Sequence, residues 1–349
     1  MAKVQKQFKQ FEENIRLGTY DELQTLRDKR DIIVDKLRSG LKKNFEVKGE
    51  KPPKFESFNQ GSYAMNTGIK PVEGDYDIDV GIRFFVSKDK HKPLEVKQWV
   101  YDALEDHTSR VEIRRSCVTV YYMKDGEVDY HVDLAVYAAG EDGTEPLHLA
   151  KGKVNSSEEL KFWEESEPQG LIKEVNGVHA DEDAQQYRRS IRALKRWKQE
   201  QFNTGGNGAP VGIGLTLAAY YWFQVSKATN WQNTVEYDDR AALQNLVESM
   251  LSKFTLVVHD GEFARRLVLK VPVKPGTDVF VKMTNAQMKT FEANLEALKQ
   301  ALKDAGDEPD TRAACLILQK QFGEDFPVPP EEETAKQQSR SVVGSSSSA

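Results

Sequence analysis

Two aspartates one residue apart inside an apolar strand pattern constrain this chain more than any other feature. In "DYDIDVGIRFF" (75–85), Ile78, Val80 and Ile82 alternate with Asp77, Asp79 and Gly81. A strand's period of two places both carboxylates on one face, about 7 Å apart along the chain. Carboxylates so close repel each other, and burying one is costly unless it is paired or bound to a cation. The pattern predicts a strand with its apolar side against a core and its acidic side around a positive charge. Asp75 falls on the same face but nearer the preceding loop, and ranks below the other two.

A third carboxylate, Asp133, stands in the strand-like "YHVDLAVY", with His131 two residues earlier on the same face. If the two strands are neighbours, Asp77, Asp79 and Asp133 meet at one point. Oxygen donors of this kind suit Mg²⁺ or Mn²⁺, which keep part of their coordination for water and phosphate. Two such ions about 4 Å apart activate a hydroxyl and stabilise a leaving pyrophosphate. Upstream, Gly61-Ser62 marks a turn whose backbone N–H groups and hydroxyl offer donors to a phosphate. Each element has a plain reading by itself: Asp-x-Asp is common on solvated strands, and Arg114 or Arg115 would serve Asp133 as an ion-pair partner. The order and strand context of the whole set point to nucleotide chemistry.

The remainder reads as helices around a sheet. Residues 8–46 carry a helical period with a break near "LGTYDE", and "PLEVKQWVYDALEDH" is an amphipathic helix. "SRVEIRRSCVTVYYM" reads as one strand, Asp125-Gly126 as a hairpin turn and "EVDYHVDLAVYA" as the next strand. Beyond about residue 180 the pattern is mainly helical, interrupted by strand-like "RRLVLKVPV" and "DVFVKM". Arg188, Arg189, Arg192, Lys195, Arg196 and Lys198 crowd one helix, a basic stripe suited to triphosphates. The aromatics of "AAYYWF" (218–223) read as core, and His259-Asp260-Gly261 as a turn.

A net charge of -6 argues against coating nucleic acid, and Cys117 and Cys315 lie too far apart for a metal motif or a disulfide framework. No apolar run reaches the roughly 18 residues of a membrane span, and the charged start has no signal-peptide pattern. The expected setting is the cytoplasm, with no membrane and no required nucleic acid.

"GS…DYDIDVGI…VDLAVY" resembles the signature of polymerase-β-like nucleotidyltransferases, most closely the bacterial relatives of cyclic GMP–AMP synthase and oligoadenylate synthase, the CD-NTases of anti-phage signalling. The resemblance extends to "FEENIRL", "RRSIRALKRWKQEQF", "GIGLTLAAYYWF" and "FGEDFPVP". It implies an α+β, bilobed fold with a mixed sheet. A catalytic lobe with a spine helix would occupy 1–180, a mainly helical lobe 181–330, and a disordered tail 331–349, with the active site in the cleft. Asp77, Asp79 and Asp133 would be catalytic metal ligands for two Mg²⁺ ions, Mn²⁺ being the alternative. Gly61 and Ser62 would hold the β- and γ-phosphates of the nucleotide, and Lys195 or Lys198 would reach its triphosphate; Tyr63, by its place after that turn, is positioned to approach the nucleotide. The substrates would be ATP and a second nucleoside triphosphate, and the product a cyclic di- or trinucleotide messenger. Partners would be proteins of the same defence operon (CBASS), with the tail conjugated at Ala349. The sequence departs from the family in the long loop over 63–76. It departs again at Gly212 and Gly214, where relatives often carry a phosphate-binding serine, whose part Thr216 or backbone N–H groups would take.

Overall fold

The strand around Asp77 forms as its alternation dictates, inside a mixed sheet. The computed structural model describes residues 4–18, 20–72, 76–202, 208–229 and 233–331, apart from the side chains of 20–23 and 25. Asp75 and the tail from 332, with Ala349, lie outside the described residues. The opening helical period divides into α1 (Gln5–Ile15) and α2 (Tyr20–Val47), separated near Gly18, whose φ of 142° a side chain would resist.

The chain forms two units. The sheet unit comprises Leu17–Gly177 and Lys270–Thr277. After α2 it contains β1 (Phe55–Asn59), the one-turn α3 (Gly61–Ala64), β2 (Tyr76–Phe84), α4 (Pro93–Leu104), β3 (Arg110–Ile113), β4 (Val118–Lys124), β5 (Glu127–Ala138), β6 (His148–Ala150), β7 (Trp163–Glu165) and α5 (Pro168–Gly177). The strand order is β1-β2-β5-β4-β3, with β6 and β7 continuing from β5. β2 and β5 are parallel, while β1–β2 and β4–β5 are antiparallel. Asp125 (φ 54°) and Gly126 (φ 88°) make the tight turn between β4 and β5.

Ile78, Val80, Ile82 and Phe84 pack with Val132, Leu134 and Val136 under α2 and α4. α2 presents Ile33, Leu37 and Leu41 at i, i+4 and i+8, each almost fully buried and worth about 1.5–3 kcal/mol. The odd-numbered residues of β2 and β5 face away. Below the acidic end, that second face carries a smaller cluster of Ala135, Tyr137, Leu149 and Phe58. The segment expected to be one strand, 109–123, is instead two strands with a turn over 114–117. Fully buried Lys97 of α4 donates to the carbonyls of Arg114, Arg115 (3.2 Å) and Gly152 (2.7 Å), and so holds that turn.

Among the described residues the helical unit comprises 4–16, Val178–Leu269 and 278–331. Its elements after α1 are α6 (Asp181–Gln201), α7 (Gly212–Trp222), β8 (Lys227–Thr229), β9 (Val235–Tyr237), α8 (Asp239–Ser252), the hairpin β10 (Phe254–His259) and β11 (Glu262–Leu267), α9 (Asn285–Asp307) and α10 (Thr311–Phe322). The Asp260-Gly261 turn closes that hairpin with positive φ at both residues. Side chains cap the later helices: Asp238 accepts from Ala241 N, Thr284 from Gln287 N and Asp310 from Ala313 N. The "DVFVKM" stretch forms turns rather than a strand. The division differs from the sequence expectation at residues 4–16, which join the helices, and at Lys270–Thr277, which join the sheet. Phe8 and Phe11 pack their rings against Phe322 and Phe326 at 5.2–6.3 Å, a pairing over 300 residues of chain.

α6 corrects the reading of the basic stripe. Arg189 grips Asp239 with two bonds (2.7 and 2.9 Å), Arg192 pairs with Glu12, and Arg196 pairs with Asp325 at 3.2 Å. Arg192 and Arg196 are nearly fully buried. A buried guanidinium requires an acid, so these three hold the unit together rather than offering a surface to phosphate. Thr216 is buried and donates to the Gly212 carbonyl at 3.3 Å within α7, so it does not replace the missing serine. Gly214 leaves room for the Phe280 ring, which a Cβ would meet at 2.3 Å. Of the aromatics in 218–223 only Phe223 is buried; Tyr221 is 43% exposed.

Candidate active site

The parallel register of β2 and β5 sets Asp79 directly opposite Asp133 and Asp77 opposite His131. Adjacent strands lie about 4.8 Å apart, so four polar side chains share one patch on the face turned away from α2 and α4. Asp77 is exposed, and Asp79, His131 and Asp133 are half-buried.

The antiparallel register of β4 then brings Thr119 beside Asp133. Thr119 is fully buried, and its hydroxyl donates to Asp133 Oδ1 at 2.5 Å. That bond fixes the carboxylate of Asp133 from behind. Arg114, a candidate partner of Asp133 by sequence, donates instead to the Tyr121 phenol. Cys117 Sγ lies 3.6 Å from the Thr119 hydroxyl; burial, and then the charge of Asp133, push its thiol up to about 12, so it stays protonated. Sequence reasoning missed Thr119. Its only signal was a polar residue within "CVTVYY", which means nothing until the register is known.

His131 Nε2 lies 3.3 Å from Asp77 Oδ1. Among the described residues, Asp77, His131 and Asp133 form a group whose donor atoms all lie within 4.8 Å of one another. Asp79 is outside that group, because its carboxylate turns toward the Gly61 turn. A Cβ on Gly61 would come 1.7 Å from Asp79 Oδ2, and Gly61 has φ +66°. Only glycine satisfies both the conformation and the approach. Tyr137, its phenol held protonated chiefly by burial and next by the charge of Asp79, donates to Gln60 Oε1 at 3.0 Å and so anchors the residue before the turn.

Ser62 follows in the one-turn α3, and its hydroxyl makes no hydrogen bond among the described residues. Tyr63 packs partly against the main core, and its hydroxyl accepts from Arg27 Nε at 3.1 Å. Arg27, Arg30, Asn59, Tyr63, Asp77 and Asp79 line a pocket. Lys195 and Lys198 stand half-buried on α6 of the helical unit, and burial lowers the ammonium pKa of Lys198.

Two carboxylates and an imidazole converging from neighbouring strands suit a divalent cation, and a third carboxylate adjoins them. Comparison with known proteins agrees with that chemistry. Residues 53–137, the stretch holding β1, the Gly61 turn, Asp77, Asp79 and Asp133, match the family model for the nucleotidyltransferase domain of cyclic GMP-AMP synthase DncV-like proteins. No curated protein sequence matches the chain. Among solved structures, Vibrio cholerae DncV cyclic AMP-GMP synthase, described as a prokaryotic cGAS homolog, aligns with a TM-score of 0.68 at 16% identity, covering 94% of this chain and 98% of that one. The 3′-deoxy GTP bound form of DncV gives 0.68 at 17% over 92% and 96%. DncV in complex with the linear intermediate 5′ pppA(3′,5′)pG gives 0.66 at 18% over 92% and 97%. Residues 53–137 thus match a DncV-like nucleotidyltransferase domain in sequence, and the chain is similar to DncV in fold.

Proposed function

We propose that this protein joins ATP and a second nucleoside triphosphate into a cyclic di- or trinucleotide, releasing pyrophosphate, and that the product is a messenger in anti-phage signalling. The observation that carries the reading is the register of β2 and β5, which sets Asp77 and Asp79 beside Asp133 next to the Gly61–Ser62 turn. The DncV complex with a linear dinucleotide intermediate supports it by analogy of fold.

In this reading Asp77, Asp79 and Asp133 hold divalent cations, Mg²⁺ or Mn²⁺, both of which oxygen donors suit. Such ions, when bound, lower the pKa of an attacking hydroxyl and neutralise charge on the phosphates. The chain's own residues supply position. Thr119 holds Asp133 in one orientation, and Tyr137 and Gln60 hold the entry to the turn. Gly61 lets backbone approach the Asp79 carboxylate, and Ser62 presents a hydroxyl to the phosphates. Lys195 and Lys198 are proposed to meet the triphosphate. Catalysis of this kind rests on orientation and preorganised charge.

The test incubates the protein with labelled ATP and GTP and a divalent ion. A product resistant to phosphatase and opened by nuclease is expected. Product formed only with added RNA or a small acceptor would replace the proposal with the rival reading, transfer to RNA ends or to a small molecule.

Thr119→Val keeps the volume and removes the donor. It is expected to lower kcat about 10- to 100-fold with little change in KM, and Thr119→Ser, which restores the hydroxyl, should recover most of it. Steady-state kinetics on the three proteins decide, and an unchanged kcat in Thr119→Val would remove Thr119 from the site.

A further inference from the structure

The imidazole in the acidic cluster has no role in the expectation drawn from sequence. His131 shares the polar face of β5 with Asp133 and lies opposite Asp77 across the parallel register. Its side chain is only 13% exposed, whereas that of Asp77 is 56% exposed. The ring leans on Tyr121, with centroids 5.8 Å apart. The packed ring of His131 has less room to turn than the exposed carboxylate. The donor atoms of Asp77, His131 and Asp133 lie within 4.8 Å of one another. Ligands at 2.0–2.2 Å from one ion stand at most about 4.4 Å apart, so modest side-chain rotation within the group closes the set.

We propose that His131 is a nitrogen ligand in the divalent-ion site and makes that site select Mn²⁺, or another imidazole-accepting ion of the first transition row, over Mg²⁺. This inference rests on the nucleotidyl-transfer reading and deepens it by naming the ion. Mg²⁺ prefers an all-oxygen octahedron and gives up water reluctantly. Imidazole raises affinity along the series from Mn²⁺ through Co²⁺ to Zn²⁺ while adding little for Mg²⁺. Carboxylates alone would leave the choice to abundance; carboxylates with a fixed imidazole bias it. The competing account is a plain ion pair between His131 and Asp77.

The two accounts separate without any turnover. The full-length protein is titrated with MnCl₂ alone, free Mn²⁺ is followed by electron paramagnetic resonance, and Mg²⁺ is added as competitor. Bound Mn²⁺ is then examined by electron spin echo envelope modulation for coupling to ¹⁴N. The wild type is expected to bind Mn²⁺ at least about tenfold more tightly than Mg²⁺ and to show nitrogen coupling. His131→Gln is expected to lose the coupling and to bring the ratio below about threefold, with Mg²⁺ affinity little changed. Should His131→Gln fail to fold, the coupling in the wild type decides alone. Mn²⁺ bound without ¹⁴N coupling, but displaced by Asp133→Asn, overturns the role of His131 and leaves the nucleotidyl-transfer reading intact. Mn²⁺ binding that is absent, or that survives Asp77→Asn and Asp133→Asn together, overturns both.

Discussion

Asp133→Asn is expected to lower nucleotidyl transfer by at least about 10³-fold while the domain stays folded. Asparagine matches aspartate in volume, and its amide oxygen still accepts the hydrogen bond that Thr119 donates across β4 and β5. The strand pairing that surrounds position 133 is main-chain and does not depend on the charge. Removing the charge costs the fold about 1 kcal/mol or less, a shift of a few degrees in Tm. The loss falls on the anionic oxygen that faces Asp77 and His131. Asp77→Asn should reduce transfer comparably and disturb stability even less, since Asp77 is exposed. The measurement is product formation from labelled triphosphates together with a thermal melt on each variant. Activity within tenfold of wild type in either variant would remove that carboxylate from the chemistry.

β2 was legible because its alternation is local: Ile78, Val80 and Ile82 are buried and Asp77 and Asp79 face the other way. That Asp133 stands in a strand was legible too, but not that its strand is a neighbour of β2. Nor was the register: β2 and β5 share no turn to set their pairing, and an irregularity at Tyr122/Met123 shifts β4 and β5 from the pairing that the Asp125-Gly126 turn alone would give. That register puts Thr119 behind Asp133 and His131 against Asp77. The turn over 114–117 was invisible for a related reason. It is held by Lys97, whose acceptors are carbonyls 17, 18 and 55 positions away. The basic residues of α6 misled in the same manner: their acids, Glu12 and Asp239, lie 180 and 50 positions distant. A helix that reads as an exposed cationic stripe in one dimension is an internal strut in three.

The Glu12–Arg192 pair between α1 and α6 yields the largest expected effect on stability. Arg192 is 3% exposed and the Glu12 side chain 12%. Burial raises the Glu12 carboxyl above its ordinary value against the pull of Arg192, and burial brings Arg192 down to about 10. Both shifts mark charges that lost more hydration than their attraction restores. Glu12→Ala leaves the guanidinium buried without its acid and is expected to cost about 3–5 kcal/mol. Replacing both, Glu12→Leu with Arg192→Met, removes the charges and fills the space with apolar volume. That double variant should return to within about 1 kcal/mol of wild type or exceed it. The pH dependence has a definite sign. The folded carboxyl holds its proton more tightly than the unfolded one, so the stability due to Glu12 is full below about 4.5 and declines as pH rises through the folded value. Denaturant unfolding followed from pH 4.5 to 8 should show that decline in the wild type and not in the double variant. If the double variant is no more stable than Glu12→Ala, the pair stabilises the unit outright, and the view that its desolvation outweighs its attraction is wrong.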